Sequence, residues 1–103
     1  MKTISSQRFL DDAIVEFKRG ATTYIVKVSP AFEIDGETFR VVLDGHHTLE
    51  AAKLDGVEPG YEEQTASQND FVGLLNAGNI DDFLAMAHFG ADYFDVETGI
   101  DVW

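Results

Sequence analysis

The segment from Val41 to Gly56 constrains the fold of this chain more than any other. It runs Val-Val-Leu, Asp-Gly-His-His and then Thr-Leu-Glu-Ala-Ala-Lys-Leu before a closing Asp-Gly. The β-branched start predicts a buried central strand. The spacing of Leu49 and Ala52 predicts a helix over residues 47–55 that packs on the sheet and ends at the closing glycine. A strand, a glycine turn and a helix start together form a layout that directs backbone N–H groups at an anion.

This segment resembles the ParB/sulfiredoxin family, whose members carry a strand, then Asp-Gly-His-His-Arg or Gly-Cys-His-Arg, then a Leu-x-Ala-Ala helix. The matching residues are Asp44, Gly45, His46, His47, Leu49, Ala51 and Ala52. Thr48 stands where the family has arginine. The resemblance covers about residues 22–57. It implies one small α+β domain over residues 1–103, with a mixed β-sheet and packed helices. The family includes CTP-binding partition proteins, sulfiredoxins and ParB-like nucleases.

The turn itself is a candidate nucleotide- or phosphate-binding site made of Asp44, Gly45, His46, His47 and Thr48. Gly45 permits close approach of a ligand, and free N–H groups are expected at His47, Thr48 and Leu49. In the family, the arginine holds phosphate in a bidentate fork, whereas Thr48 can only cap the helix or donate its hydroxyl.

The same turn has two other interpretations. It can be purely structural, with one histidine directed inward and the other toward solvent, because neighbouring residues in an extended turn point in different directions. It can also contribute metal ligands, but a metal site needs at least three, and Asp44 is the one obvious partner for His46 and His47. No metal ion and no cofactor are predicted.

The chain contains no cysteine. Disulfides, thiolate catalysis and zinc sites built on sulfur are therefore excluded, and so is the sulfiredoxin reaction, which needs a nucleophilic cysteine. Cysteine usage favours a cytoplasmic location. No apolar run approaches the roughly 18 residues of a membrane span, and the first residues lack the apolar centre of a signal peptide.

Charge is distributed unevenly along the chain. The net charge is −12; the first 53 residues hold all seven Lys and Arg and eight of the nineteen acids, and the last fifty hold the other eleven acids. Such a segment repels phosphate backbones, so direct nucleic-acid binding is not expected. The acids either keep a small domain in solution or form a surface that docks on a basic partner. The candidate surface residues are Asp81, Asp82, Asp92, Asp95, Glu97 and Asp101.

The remaining sequence predicts further strands. Residues 14–18 alternate loosely between apolar and polar types before a turn at Arg19-Gly20. Residues 22–28 are β-branched and aromatic and predict a strand. Residues 31–34 and 38–43 flank Asp35-Gly36, which predicts a β-hairpin leading into the histidine turn. Residues 60–68 are polar and carry no clear pattern.

Two helices and a short hairpin are predicted near the end of the chain. A polar cluster ending at Asp70 predicts the start of one helix, which ends near residues 76–78. Asn79 is expected to cap the next helix, whose apolar face would be Ile80, Phe83, Leu84, Met86 and Ala87. The tail predicts two short strands about a turn at residues 97–99. Tyr93, Phe94 and Trp103 can be either core residues or an exposed anchor cluster.

Two hypotheses of function follow. In the first, the chain is a non-enzymatic acidic binding protein acting on a basic, nucleic-acid-handling partner. A small, acidic, cysteine-free chain resembles phage and mobile-element inhibitors such as anti-CRISPR proteins in size and charge. In the second, it is a ParB-like domain that binds or hydrolyses a nucleotide such as CTP or ATP, or a nuclease. The loss of the family's arginine favours the first.

Overall fold

The computed structural model describes residues 1–88 and 92–103. Its elements are β1 Lys2–Ser5, α1 Asp12–Lys18, β2 Ile25–Val28, β3 Phe32–Ile34, β4 Glu37–Asp44, α2 His46–Leu54, β5 Gly60–Glu63, α3 Asp70–Asn76, α4 Ile80–Met86 and β6 Phe94–Asp95. The strands form one mixed sheet in the order β5-β2-β4-β1-β6, and β3 also pairs with β4. The predicted single α+β domain with a mixed sheet is therefore confirmed. None of the helices described is long and apolar enough to cross a membrane.

Strand β4 is the centre of the sheet, as the Val-Val-Leu run predicts. Val41 and Val42 are completely buried, and successive side chains enter different cores because a strand alternates its faces. Val41 belongs to the core shared with α3 and α4, while Val42 packs with Leu49 of α2. Ala52, the other predicted core residue of α2, instead packs with Val15 and Tyr24 under α1.

The predicted β-hairpin about Asp35-Gly36 is present. Phe32 to Ile34 pair in antiparallel register with Phe39 to Glu37, and both turn residues have positive φ, 51° and 83°. Those angles fit the two-residue turn whose twist matches that of the flanking strands. The separately predicted strand β2 precedes this hairpin and pairs with β4 with a register shift between Lys27 and Val28. The Ser29 hydroxyl, just after β2, accepts the Val41 N–H at 3.0 Å.

The predictions for the end of the chain are mostly confirmed. Asn69 caps α3 by accepting the Phe71 N–H at 2.9 Å, and Asn79 precedes α4 but makes no side-chain cap bond. Phe94 faces Asp101 across an antiparallel bridge, which closes the predicted hairpin. The predicted apolar face of α4 is wrong at Met86, which is 57% exposed because α4 contacts the core mainly through Phe83.

Three elements near the N-terminus and middle were not predicted. Residues 14–18 lie in helix α1, not in an extended segment, because Asp11 caps the helix by accepting the Ala13 N–H at 2.9 Å. Strands β1 and β5 both pair in parallel, β1 with β4 and β5 with β2. Parallel pairs join segments that are distant in sequence, so no local turn signals them.

One of the acids of the second half is part of the framework. Asp55, at the end of α2, accepts hydrogen bonds from the Tyr24 hydroxyl, from Gly20 N–H at 2.9 Å and from Arg19 Nε at 2.7 Å. These bonds lower the pKa of Asp55 to about 2, and the bond from Tyr24 makes the largest contribution. Asp55 therefore joins the α1–β2 loop to α2, and it is not available to a partner.

Candidate functional site

The Asp44–Thr48 turn fits tightly against strand β2. Gly45 has φ of +90°, and a Cβ added there would lie 3.1 Å from the carbonyl oxygen of Ile25 and 3.2 Å from Cα of Val26. Glycine is therefore required by the neighbouring backbone. Asp44 closes the same turn by accepting the Gly45 N–H at 2.8 Å. The glycine that the sequence assigns to ligand approach is explained by packing alone.

His46 is the inward-facing histidine of the pair. Its side chain is buried, and its Nδ1 lies 3.2 Å from the Ser5 hydroxyl oxygen at the end of β1. Burial lowers the pKa of His46 to about 4, with Asp44 opposing and His47 reinforcing the shift. The imidazole is therefore neutral near pH 7 and acts as a core group joining α2 to β1.

His47 faces the other way and contacts helix α1. Its Nε2 accepts the backbone N–H of Asp11 at 3.1 Å, so that ring nitrogen carries no proton in this arrangement. Asp11 is the N-cap residue of α1. His47 thus fixes the start of α1 against the start of α2, and the prediction that the two histidines diverge is confirmed.

The start of α2 differs by one residue from the prediction. The helix begins at His46, Gly45 is its N-cap without a side-chain bond, and Leu49 N–H donates to the Gly45 carbonyl at 2.8 Å. The predicted free N–H at Leu49 is therefore wrong, because that group already belongs to the first helical turn. Thr48 lies inside the helix and is not its cap.

A small cleft opens beside this turn. It has a volume of about 240 Å³ and is lined by Gln7, Lys18, Leu43 and residues 44–47. Lys18, at the end of α1, contributes a positive charge to the lining of this cleft. Among residues 1–88 and 92–103, no three His, Asp or Glu side chains are placed to hold a metal ion.

A larger cleft, here called the acidic cleft, lies at the far end of the β3–β4 hairpin. Its volume is about 580 Å³, and it is lined by Glu33, Ile34, Asp35, Gly78, Asn79, Ile80, Asp81 and Asp82. Among the described residues that line it, none is a lysine or an arginine. In the described part of the chain, none of its four carboxylates takes part in a salt bridge. These four negative charges lack the compensation that Glu37, next to them, receives from Lys2 at 2.8 Å.

The candidate acids divide between this cleft and the C-terminal hairpin. Asp81 and Asp82 line the acidic cleft. Asp101 forms a salt bridge with Arg8, and Asp95 accepts the Glu97 N–H at 2.9 Å inside the hairpin turn. Asp92 is exposed, directly before the buried Tyr93. The structure thus brings two of the six together with acids from the other half of the chain.

Sequence reasoning missed Glu33 and Asp35 as members of the acidic cleft. Both acids lie in the half of the chain whose positive and negative charges nearly balance, so the net charge of that half does not single them out. The Asp35-Gly36 turn is the sequence signal for these acids, because it places them at the tip of a hairpin. The position of α4 beside that tip has no local sequence signal.

A second cleft, here called the tryptophan cleft, adjoins the first. Ile34, Asp35 and Asp81 line both clefts. The tryptophan cleft has a volume of about 370 Å³, and its other lining residues are Glu37, Phe39, Leu84, Val102 and Trp103. Of the three aromatic residues with two interpretations, Tyr93 is core, Phe94 is half-buried and Trp103 is 55% exposed.

Comparisons with protein-family models, with curated proteins and with solved structures found no match to this chain. The similarity to the ParB/sulfiredoxin family therefore rests on the residues of the Val41–Gly56 segment and remains a prediction.

Proposed function

We propose that this chain is a non-enzymatic binding protein that occupies the basic surface of a nucleic-acid-handling protein, as an inhibitor of the phage or mobile-element type does. The observation that carries the proposal is the acidic cleft, where Glu33, Asp35, Asp81 and Asp82 meet without a lysine or arginine. Four carboxylates that line one cleft with no cation among its lining residues give the cleft a negative potential. A cationic surface complements that potential on binding.

The state of the histidine turn supports a role without catalysis. Gly45 is needed by strand β2, His46 contacts Ser5 in the core, and His47 accepts a hydrogen bond from the start of α1. Each of these residues has an internal contact that accounts for its presence. The proposal therefore treats the family-like motif as framework, and places the function on the acidic surface.

The proposal predicts a salt-sensitive partner that nucleic acid displaces. The protein is immobilised, and its retention of proteins from a host lysate is compared at about 50 mM and 500 mM salt, with and without added DNA and RNA. Screening at the higher concentration shortens the Debye length to a few ångströms, so retention should fall at least tenfold.

Added nucleic acid should release the same retained protein, because both ligands compete for one basic surface. Retention that is indifferent to salt contradicts the proposal. A partner that stays bound to this chain and to nucleic acid at the same time contradicts it equally.

A second candidate function is supported by Lys18. This side chain lines the small cleft beside the first turn of α2. A phosphate group there would meet the Lys18 ammonium and the backbone N–H groups of the helix start, opposed by the Asp44 carboxylate. A ParB-like nucleotide-binding site would use this cleft in place of the missing arginine. Hydrolysis would need a general base. The two histidines that line the cleft already have internal contacts, His46 with Ser5 and His47 with Asp11.

Calorimetry with CTP and ATP, with and without magnesium, tests this second candidate. If the cleft binds nucleotide, Lys18→Gln should weaken binding about ten- to a hundredfold, since a charge-assisted hydrogen bond contributes roughly 1.5–3 kcal/mol. Lys2→Gln, which removes an exposed lysine of β1 that does not line this cleft, is the matched control. No heat at millimolar nucleotide eliminates this candidate.

A further inference from the structure

The ring of Trp103 contacts two core aromatic rings and is also partly exposed to solvent. The centroid of its ring lies 5.2 Å from that of Phe39, at an interplanar angle of 87°, and 5.9 Å from that of Tyr93, at 39°. The preceding residue is fixed to the core through a hydrogen bond from Val102 N–H to the Tyr93 carbonyl at 3.1 Å. A ring that is anchored in this way and still 55% exposed offers a rigid aromatic surface.

Acids and apolar side chains surround this ring together. Asp35, Glu37 and Asp81 line the tryptophan cleft, along with the partly buried Ile34 and Leu84. Asp35 and Asp81 also line the neighbouring acidic cleft. A ligand in the tryptophan cleft therefore meets an aromatic ring, an apolar floor and carboxylates within one site.

The protein already uses this combination within its own fold. The guanidinium of Arg8 lies 4.1 Å above the Phe94 ring and forms a salt bridge with Asp101. Arg40 lies 4.0 Å from the ring of Tyr61. Trp103, in the described part of the chain, has carboxylates at its side but no arginine or lysine over its ring.

We propose that the tryptophan cleft receives an arginine side chain of the basic partner, with the guanidinium over Trp103 and hydrogen-bonded to Asp81 and Asp35. The proposal rests on the proposed function and names the group that is recognised. Arginine fits better than lysine, because its planar, weakly hydrated guanidinium stacks on an aromatic face and presents a fork to carboxylates. An apolar residue beside that arginine would contact Ile34 and Leu84.

The single tryptophan allows a direct test, because its fluorescence reports on the cleft alone. The probe is an acetylated, amidated peptide with an Arg-Leu-Arg centre in a glycine-serine context, compared with versions in which lysine or citrulline replaces arginine. We expect the arginine peptide to change the Trp103 emission at saturation. It should bind about three- to tenfold more tightly than the lysine peptide and at least tenfold more tightly than the citrulline peptide.

Variants locate the binding site by anisotropy of a labelled arginine peptide. Asp81→Asn and Trp103→Leu should each weaken binding about five- to tenfold. Glu58→Gln, the charge-matched control at an exposed loop residue, should weaken it less than twofold. Circular dichroism of each variant checks that the fold is retained.

Two results overturn the inference, and they separate it from the proposed function. If the arginine and lysine peptides bind equally, or Asp81→Asn behaves like Glu58→Gln, the cleft does not recognise arginine. The salt-dependent, nucleic-acid-competed partner can still be retained in that case. Failure of the arginine peptide to bind at all also overturns the inference, whereas the proposed function falls only with the lysate result.

Discussion

Replacing Gly45 with alanine should lower the free energy of unfolding by about 2–4 kcal/mol. Two costs add at this position. A residue with a Cβ is strained at φ of +90°, and the new Cβ would approach the backbone of Ile25 and Val26 to 3.1–3.2 Å. Those neighbours are strand backbone, which cannot move aside as the end of a flexible side chain can. Urea denaturation followed by circular dichroism measures the change.

Two other glycines serve as controls. Gly20 has φ of +74° but open space around its Cβ position, so Gly20→Ala isolates the conformational strain, about 1 kcal/mol. Gly73 lies inside α3 with no atom near, and Gly73→Ala should be neutral or stabilising by up to about 1 kcal/mol. If Gly45→Ala folds as stably as Gly20→Ala, the turn has room that the packing does not use. The phosphate-cradle interpretation would then regain support.

Acidification should destabilise the protein through His46. Its pKa is about 4 in the folded protein and about 6.5 when the chain is unfolded, so the unfolded state binds the extra proton between these values. Stability is therefore lost progressively as the pH falls from about 6.5 and the loss levels off below about 4. The loss from this residue amounts to about 3 kcal/mol.

His46→Gln separates this effect from the titration of the many acids. The variant keeps a polar side chain next to Ser5 but cannot gain a proton in this range. Wild type should therefore lose about 3 kcal/mol more than the variant between pH 7 and pH 4, measured by urea denaturation at each pH. Parallel pH profiles for the two proteins would show that the imidazole is solvated in the folded state. The core contact with Ser5 would then be absent in solution.

The parts of the fold that sequence predicted are those with local signals. The Asp35-Gly36 turn determines its hairpin, and Asn69 with its side-chain cap determines the start of α3. The Val-Val-Leu run identified the central strand because β4 is buried on both faces. Each of these features involves residues within a few positions of one another, where turn and capping chemistry apply.

The parts that failed depend mainly on contacts across long stretches of chain, although the start of α1 carries a local signal in its Asp11 cap. Strand β1 has no turn leading to β4, since Lys2 pairs with Phe39 in parallel. Helix α1 presents Phe17 to solvent at 88% exposure, which breaks the pattern that a helical face should show. The Asp11 cap and the His47 contact hold α1 in place, and the latter joins residues 36 positions apart.

The candidate site divides in the same way. The divergence of His46 and His47 follows from local geometry and was predicted. The acidic cleft combines a hairpin tip with a helix more than forty residues later in the chain. Counting charge separately in the two halves of the sequence therefore assigns its four acids to different halves. Whether Trp103 is core or surface depends on how Phe39 and Tyr93 meet its ring, and its residue type alone leaves both outcomes open.

The position of β1 also bears on where a tag or label can be attached to this protein. Lys2 lies opposite Phe39 in the sheet, and the Phe39 ring contacts that of Trp103. Lys2 forms a salt bridge with Glu37, which lines the tryptophan cleft, and Trp103 lines the cleft itself. Polypeptide joined after Trp103 therefore begins at that cleft. An affinity tag or fused domain there would stand over the proposed binding surface. Reporters and surface linkages are better attached at exposed internal loop positions such as Ala21, where one introduced cysteine would be a unique chemical handle in this chain.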